Sequence, residues 1–343
     1  MTAWCADSSS HGIPHQDQRF PWVGPHTHPA FPLSSPDEKP RPGPHCARRP
    51  PFRALLFAAL ALALVAAGVA WVRAGVPDVA ALASANPAQS RYMQLRAAQP
   101  GRADGTYRMG AVPLEGFSPL LVCAVVKSED RRFFRHHGID WPQVRRAARR
   151  NLAGHRAGAS TITQQTARNL YLGPERSLRR KAREIAIARA MEDRLDKRRI
   201  LELYLNGAEW GDGVWGAGAG ARHHLGRDAG EVDAFGAALL AAMLPAPRSP
   251  LTGLNRQRAE RVQRRVLNQL LDSELLTRGE WLDAQVRTDT LHARLRRGLP
   301  LADALPRPSD GRSPARFIPP PTARGVTAAV AGECGLAREL GER

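Results

Sequence analysis

Cysteine and lysine are both scarce in this sequence of 343 residues. The four cysteines, Cys5, Cys46, Cys123 and Cys334, lie far apart and form no C-x-x-C pair. This spacing excludes a small disulfide-stapled fold and a structural zinc site made of cysteines. Only four of the 50 Lys and Arg residues are lysines, so arginine supplies most of the positive charge behind the net charge of +18. Charge alone is equally compatible with nucleic acid, an acidic membrane surface and a phosphorylated substrate.

Periodic hydrophobic residues are also absent from both ends of the chain. Residues 1–50 are rich in Pro, His, Ser and Gly, and Pro, Gly and Arg return without periodicity beyond residue 300. Such segments bury too little apolar surface to offset the entropy lost on folding. We therefore predict a disordered Pro/His-rich tail over 1–50 and a disordered tail over 300–343.

One long uncharged run lies near the N-terminus. Residues 54–72 read ALLFAALALALVAAGVAWV, which as a helix spans roughly the ~30 Å hydrocarbon layer of a bilayer. No A-x-A cleavage site follows, which favours a retained transmembrane helix over a cleaved signal peptide. Arg41, Arg48, Arg49 and Arg53 precede the run. By the positive-inside rule, the N-terminal tail lies in the cytoplasm and the rest of the chain on the opposite side.

Helical patterns dominate the remainder of the chain. Apolar residues recur at three- and four-residue spacing in 119–128, 141–153, 160–172, 178–194, 197–206, 231–244 and 256–287. Few segments alternate with a period of two, and Pro and Gly separate the helical stretches as turns, including the glycine-rich stretch 207–220. These patterns predict one mainly α-helical domain over 76–290.

Adjacent carboxylates, Glu129 and Asp130, end the first helical stretch of this domain. Residues 120–126 before them are almost wholly apolar, so a carboxylate at this end is partly desolvated. Desolvation raises a carboxyl pKa toward the range of a general base. His136 is placed to orient either acid by a hydrogen bond. A solvated helix end and a purely structural histidine are the alternatives at this point.

A dense group of neutral amides follows in the sequence GASTITQQTARNL. Either Ser160 or Thr161 can cap a helix here. That helix presents Gln165, Arg168 and Asn169 on one face because they are spaced by three and four residues. These groups suit hydrogen bonds to a polyhydroxylated or phosphorylated ligand. A capped surface helix is the alternative.

A cationic cluster lies in the sequence RRKARE, in which Arg180 and Glu184 are one helical turn apart. Arg180 and Lys181 beside a carboxylate suit a pyrophosphate, which Arg binds through two hydrogen bonds and Lys as a point charge. An ordinary surface ion pair is the alternative. A further amphipathic helix over 197–206 is predicted to support the site, with Glu202 paired to a cation.

Taken in order, these segments resemble the motifs of the peptidoglycan glycosyltransferases of glycosyltransferase family 51. The family motifs are E-D-x-x-F-x-x-H-x-G, G-x-S-T-I-T-Q-Q-x-x-K-N-L, R-K-x-x-E and K-x-x-I-L-E-x-Y-L-N, and the resemblance covers roughly residues 76–270. The later segments resemble the monofunctional, single-span biosynthetic branch. Arg168 stands where the family usually has Lys, and Gly236 where a Glu is common. The chain lacks S-x-x-K with a later K-T-G, which argues against a transpeptidase domain.

The resemblance implies a lysozyme-like, two-lobed, mainly α fold and the polymerisation of lipid II. In that reaction the growing glycan leaves its undecaprenyl pyrophosphate for the 4-hydroxyl of the next lipid II, and a β-1,4 bond forms with inversion. Glu129 would be the general base and Glu184 the second catalytic carboxylate, with Asp130 and His136 in support. The implied substrate-binding residues are Ser160, Gln165, Arg168, Asn169, Arg180 and Lys181.

A cofactor and a location follow from the same resemblance. A divalent cation, Mg or Mn, is expected, with Glu184 meeting it through the pyrophosphate. The expected partners are lipid II, the growing glycan and membrane lipids, with transpeptidases or division proteins as further candidates and no nucleic acid. The expected location is the bacterial cytoplasmic (inner) membrane, with a single span and the catalytic domain on the periplasmic side.

Two other classes of protein stay open. A lysozyme-like hydrolase or a lytic transglycosylase also uses a carboxylate in a helical cleft. The cation cluster and the membrane anchor argue against that class. A basic, non-enzymatic membrane protein is suggested only by charge and leaves the ordered motifs unexplained.

Overall fold

The computed structural model describes residues 52–100, 107–154, 158–306 and Cys334. Within these residues the protein is mainly α-helical, as the sequence predicts. Its α-helices are α1 Phe52–Ala74, α2 Arg91–Ala97, α3 Pro119–Glu129, α4 Trp141–Leu152, α5 Ile162–Tyr171, α6 Leu178–Arg194, α7 Lys197–Gly207, α8 Ala217–Leu225, α9 Ala234–Met243, α10 Gly253–Asp272, α11 Arg278–Arg296 and α12 Leu301–Ala304. Two short strands, β1 Glu209–Gly211 and β2 Val214–Trp215, pair antiparallel. The tail predicted over 1–50 lies outside the described residues.

The helix α1 is the apolar run predicted near the N-terminus, and it is slightly longer than the predicted 54–72. Its segment Leu55–Ala74 is the one helix in the described part of the chain that is long and apolar enough to cross a membrane. Its large apolar side chains are exposed, among them Phe57 at 72% and Leu62 at 70%. Apolar side chains exposed all round a helix of this length suit contact with lipid.

The helices beyond the span form two groups. In the first group, α9 packs against α3, α10 and α11, and all ten of its residues are buried. In the second group, α5 packs against α2, α6 and α7. The helix α3 ends at Glu129, which contacts α5, so the two groups meet at the end of α3.

Close packing explains why a glycine, Gly236, occupies this position of α9. A Cβ atom there would lie 2.7 Å from Cδ1 of Leu225, so a larger side chain requires Leu225 to move. The backbone N–H of Gly236 donates to Oδ1 of Asp233 at 2.9 Å, which caps α9. Arg287 from α11 binds the other oxygen of Asp233 at 2.9 Å. This position therefore joins α8, α9 and α11.

The hydrogen bonds at the start of α5 show which of the two candidates, Ser160 or Thr161, caps this helix. Oγ1 of Thr161 accepts from the N–H of Gln164 at 3.2 Å, and Oε1 of Gln164 accepts from the N–H of Thr161 at 3.3 Å. This capping box makes Thr161, not Ser160, the cap. The Thr161 hydroxyl also donates to the carbonyl of Gly138 at 2.7 Å, which fixes the loop after α3 against α5.

The helix α7 fastens the segment that leads into α3. The side chain of Asn206 donates to the carbonyl of Val112 at 2.7 Å and accepts from its N–H at 3.0 Å. Glu202 pairs with Arg199, which confirms the predicted cation partner, and it accepts from the N–H of Leu114 at 3.0 Å. These bonds hold the segment 112–114 that leads into α3.

Two stretches within the predicted domain differ from the sequence prediction. The single helical stretch predicted over 256–287 is two helices, since the chain turns at Ser273–Thr277, where Glu274 has φ of 60°. The turn carries no Pro or Gly signal, but Thr277 and Glu280 form a capping box that starts α11. The glycine-rich stretch predicted as turns contains β1, β2 and the start of α8. Those strands are too short to show alternation in the sequence.

The C-terminal segment is more ordered at its start than predicted. Residues Leu301–Ala304, inside the predicted tail over 300–343, form α12 because Ala304 is buried and Arg294 binds the carbonyl of Leu305 at 3.1 Å. Farther along, Cys334 is buried and forms a disulfide with Cys123 of α3. No local pattern indicates this pair, because 211 positions separate its members.

Replacing Cys334 by Ser should lower the free energy of unfolding by about 2–4 kcal/mol, because the disulfide closes a long loop in the unfolded chain. The check is the thermal unfolding midpoint of the purified protein, measured with and without a reducing agent. Cys5→Ser with Cys46→Ser, which leaves the pair intact, is the matched control. Equal midpoints for wild type and Cys334→Ser under oxidising conditions would contradict a stabilising disulfide.

Candidate active site

Glu129 is the last residue of α3, and its side chain is half-buried. Its Oε2 atom accepts a hydrogen bond from Nε2 of Gln165 at 2.9 Å. Burial raises the pKa of Glu129, and the charge of Asp130 adds to the rise. The Gln165 hydrogen bond and the Arg168 guanidinium oppose the rise without cancelling it. A carboxylate with a raised pKa in this position is suited to accept a proton.

Asp130 links the two helix groups and supports the neighbouring Glu129. Its buried carboxylate lies 3.0 and 3.1 Å from Nε2 of His136. Oδ2 also accepts from the N–H of Ile162 at 3.0 Å, at the start of α5. A carboxylate only accepts, so Nε2 of His136 carries the proton in this contact. His136 therefore orients Asp130, and Asp130 fixes the end of α3 against α5.

The predicted polar face of α5 is present. Gln165, Arg168 and Asn169 stay half-exposed, whereas their immediate neighbours on the helix are buried. The charge of Arg168 acts on Glu129, so this face and the carboxylate share one site. The arrangement favours a ligand-binding face over the alternative of a capped surface helix.

The cation cluster is built around a buried carboxylate. The Glu184 side chain is 1% exposed, and its two oxygens accept hydrogen bonds from Arg180 and Lys181 respectively. Lys181 also donates to Oγ of Ser160 at 3.0 Å and to Oε1 of Gln164 at 3.3 Å. The alternative of an ordinary surface ion pair is therefore wrong for Glu184. The carboxylate holds two cations, which leaves the cluster with a net charge of +1.

Two consecutive residues of α5 join the cation cluster to Glu129. Gln164 contacts Lys181, and Gln165 contacts Glu129. One helix therefore contacts both the carboxylate with the raised pKa and a cation of the cluster.

Glu184 does not fit the role of a direct metal ligand. Both of its oxygens already accept from a cation, and the carboxylate is inaccessible to solvent. The described residues include no group of three or more His, Cys, Asp or Glu side chains arranged to hold a metal ion.

Tyr204 is a site residue to which the sequence analysis assigned no role. Its buried hydroxyl donates to Oε1 of Gln165 at 3.5 Å, and Nε2 of the same amide donates to Glu129. Burial and the charge of Glu129 hold the pKa of Tyr204 well above its ordinary value, so the hydroxyl keeps its proton. The tyrosine of the motif I-L-E-x-Y-L-N was the one feature of the sequence that could have indicated a role for Tyr204.

A second overlooked group lies beneath the site. Nζ of Lys197 is 2.7 Å from Oε1 of Glu192, which also accepts from Oγ1 of Thr163 at 2.5 Å. Nζ of Lys197 lies 4.4 Å from the ring centre of Phe133. Burial lowers the pKa of Lys197, although Glu192 opposes this effect. The three polar residues join α5, α6 and α7.

A half-buried carboxylate, an amide-rich face and a cation cluster lie in this mainly helical domain. Groups of these kinds suit an enzyme that transfers a group away from an anionic leaving group. The model of one protein family, described as Transglycosylase, matches residues 98–271. The chain belongs to this family. Its domain has the lysozyme-like fold expected from the sequence.

Several curated proteins are similar to this chain. A biosynthetic peptidoglycan transglycosylase of Rhodospirillum centenum is 47% identical over 218 residues, which are 62% of this chain and 88% of that protein. Proteins with the same description from Alcanivorax borkumensis and Azoarcus sp. are each 44% identical. Those matches cover 57% and 56% of this chain, and 78% and 83% of the respective relatives.

Proposed function

We propose that this peptidoglycan glycosyltransferase polymerises lipid II, with Glu129 as its general base. Its membership of the Transglycosylase family and its similarity to biosynthetic peptidoglycan transglycosylases support the activity. The observation that carries the mechanism is that two consecutive residues of α5 contact both groups, since Gln165 donates to Glu129 and Gln164 accepts from Lys181. Lipid II and the growing glycan chain are the substrates.

Glu129 acts on the acceptor side of the reaction. It takes the proton of the acceptor 4-hydroxyl while that oxygen attacks the anomeric carbon of the donor, so the new C–O bond forms as the carboxyl becomes protonated. Gln165 and Tyr204 hold the carboxylate in one orientation. A fixed carboxylate with a raised pKa needs little reorganisation before it accepts the proton.

The cations act on the leaving group. As the bond between the anomeric carbon and the pyrophosphate breaks, negative charge grows on the departing phosphate oxygens. Arg180 and Lys181, held in place by Glu184, stabilise that charge, and Arg168 lies on the side of Glu129. Ser160 orients Lys181, and Asn169 offers its amide to sugar or phosphate groups.

A divalent cation belongs to this proposal only as a partner of the substrate. Mg or Mn bound to the pyrophosphate oxygens would neutralise part of their charge. Because the oxygens of Glu184 are engaged by Arg180 and Lys181, Glu184 contributes by holding those two side chains.

The protein is proposed to lie in the cytoplasmic membrane with its catalytic domain outside the cytoplasm. The single span α1 and the arginines before it support this orientation. The disulfide between Cys123 and Cys334 also supports it, since disulfides persist in oxidising compartments. The uncrosslinked glycan product calls for a crosslinking reaction, which makes transpeptidases the expected partners.

The function is tested with labelled lipid II and the full-length protein in detergent. A glycosyltransferase should convert lipid II into long polymer, which a gel resolves, and should leave preformed glycan intact. Soluble fragments released from preformed glycan, without polymer from lipid II, would favour the hydrolase or lytic alternative.

The pH dependence of kcat/KM gives a further prediction. Glu129 is active when deprotonated, and its pKa lies above the ordinary value of 4.5, so activity is lost as the pH falls through this raised pKa. Gln165→Leu removes a hydrogen bond that lowers the pKa, so the acidic limb should move to higher pH. Asn169→Leu, on the same face of α5, should lower the rate without moving the limb. An unmoved limb in Gln165→Leu would contradict the role of this hydrogen bond.

A further inference from the structure

We propose that Trp71, Arg179 and Arg183 form a binding site for the phosphate of an anionic phospholipid. Trp71 lies in the last turn of α1, and the two arginines lie near the start of α6. Their guanidinium carbons are 4.8 and 4.7 Å from the centre of the indole ring. One tryptophan at the end of the membrane span therefore gathers two cations from the catalytic domain.

Within the described part of the chain, acidic side chains do not compensate the charge of this pair. Among the described residues no carboxylate forms an ion pair with Arg179 or Arg183. Other arginines of α6 do have carboxylate partners, as Arg189 has Asp193 and Arg194 has Asp78. Two guanidinium groups beside one ring repel each other, and an anion between them would offset the repulsion.

The cluster also contains an Arg183 hydrogen-bond donor that is not used within the described ranges. Nε of Arg183 is buried and has no hydrogen-bond partner among the residues that the structure describes. The Arg183 side chain is close to the chain at Gly75, where a Cβ atom would lie 3.0 Å from its nitrogens. The guanidinium is thus held in place by packing rather than by an acceptor, and its donors are suited to phosphate oxygens.

The position of the cluster at the end of the membrane span favours a lipid as the bound molecule. Trp71 stands close to the end of the segment Leu55–Ala74, where the apolar span meets the headgroup layer, a level at which tryptophan is enriched. The phosphates of phospholipids lie at this level. Leu178, next to Arg179, is 91% exposed and places an apolar side chain beside the same cluster. A phospholipid offers both an anionic group and apolar surface at this depth.

The site is distinct from the cluster that serves catalysis. Arg179 and Arg183 are one turn apart on α6, as are the neighbouring Arg180 and Glu184. One stripe of α6 therefore faces Trp71, and the adjacent stripe holds the cations assigned to the lipid pyrophosphate. A phospholipid bound to the first stripe would fix the height of the second above the bilayer.

The test is lipid retention by the full-length protein in detergent, counted by native mass spectrometry. Phosphatidylglycerol, phosphatidylcholine and inorganic phosphate are the three probes. Wild type should retain one phosphatidylglycerol with about a 25-fold preference over phosphatidylcholine, since each of the two interfacial arginines adds about a fivefold attraction. Arg179→Gln with Arg183→Gln should abolish the preference. Arg189→Gln with Arg194→Gln makes the same charge change on the same helix and should keep it.

Each contrary outcome overturns the proposal. An unchanged preference in Arg179→Gln with Arg183→Gln shows that these residues do not bind the lipid, and an equal loss in the control pair shows a general charge effect. Displacement of the lipid by millimolar inorganic phosphate shows an anion site rather than a lipid site. If the first variant fails to fold, Trp71→Leu carries the test, because Trp71 is 40% exposed and outside the catalytic core. Because the experiment measures lipid binding and not catalysis, a failure of this proposal can be distinguished from a failure of the proposed catalytic function.

Discussion

Replacing Glu129 by Gln is expected to lower kcat for lipid II polymerisation by about 10²–10⁴-fold, the usual contribution of a general base. The amide keeps the size of the side chain and can still accept from Gln165, but it cannot take the acceptor proton. Initial rates with labelled lipid II measure the loss. A rate within threefold of wild type would contradict the assignment.

The fold of this variant should remain intact. Burial raises the pKa of Glu129, so the charged carboxylate is less favourable in the folded protein than in the unfolded chain. Its contribution opposes folding once the pH exceeds the ordinary pKa, and a neutral Gln removes that opposition. The thermal unfolding midpoint at neutral pH should therefore equal or exceed that of wild type.

Asp130→Ala is the matched contrast to Glu129→Gln. It removes the acceptor for His136 and for the N–H of Ile162, both of which are buried contacts. Leaving such donors unpaired costs about 1–3 kcal/mol each. This variant should lose stability as well as activity, which separates a supporting residue from a base.

Replacing Glu184 by Gln is expected to lower kcat by about 10²–10³-fold, in the range seen when one group that stabilises transition-state charge is removed. Gln is neutral and cannot hold both Arg180 and Lys181 by charge, so the two cations lose their fixed positions. The free energy of unfolding should fall by about 1–3 kcal/mol. This is less than for a fully buried pair because the two cations are partly exposed.

Asp193→Asn is the control on the same helix, since Asp193 is 55% exposed and pairs only at the surface. It should change neither rate nor stability by a measurable amount. A titration with Mg or Mn adds a second readout. Because Glu184 holds side chains rather than a metal, excess metal should not restore Glu184→Gln. Full restoration would contradict this role and favour direct metal ligation.

The helices that carry the site could be read from local patterns. The predicted stretch 119–128 corresponds to α3, Pro119–Glu129, and the predicted stretch 197–206 corresponds to α7, Lys197–Gly207. These helices could be predicted because apolar spacing and helix-end signals are local properties of the sequence. The break between α10 and α11 escaped prediction, since its turn at Ser273–Thr277 lacks Pro and Gly. The strands β1 and β2 escaped because they contain too few residues for a period.

The contacts within the site depend on how the helices pack, and these the sequence could not provide. The motif R-K-x-x-E predicts Glu184 as a site residue. The burial of Glu184 between Arg180 and Lys181, however, follows from the packing of α6 on α5. The contact of Tyr204 with Gln165 likewise requires α7 to pack on α5. The pairing of Cys123 and Cys334 is the extreme case, because no local pattern connects them.

In the proposed reaction, the glycan is transferred directly from a lipid pyrophosphate to a sugar hydroxyl activated by Glu129. The most direct measurement incubates the full-length protein with lipid II and determines both the linkage of the first product and the undecaprenyl pyrophosphate released. Direct transfer should give only β-1,4 linkages and one undecaprenyl pyrophosphate released for each bond formed. Release of undecaprenyl pyrophosphate with water at the anomeric carbon, or without any new glycosidic bond, would contradict it.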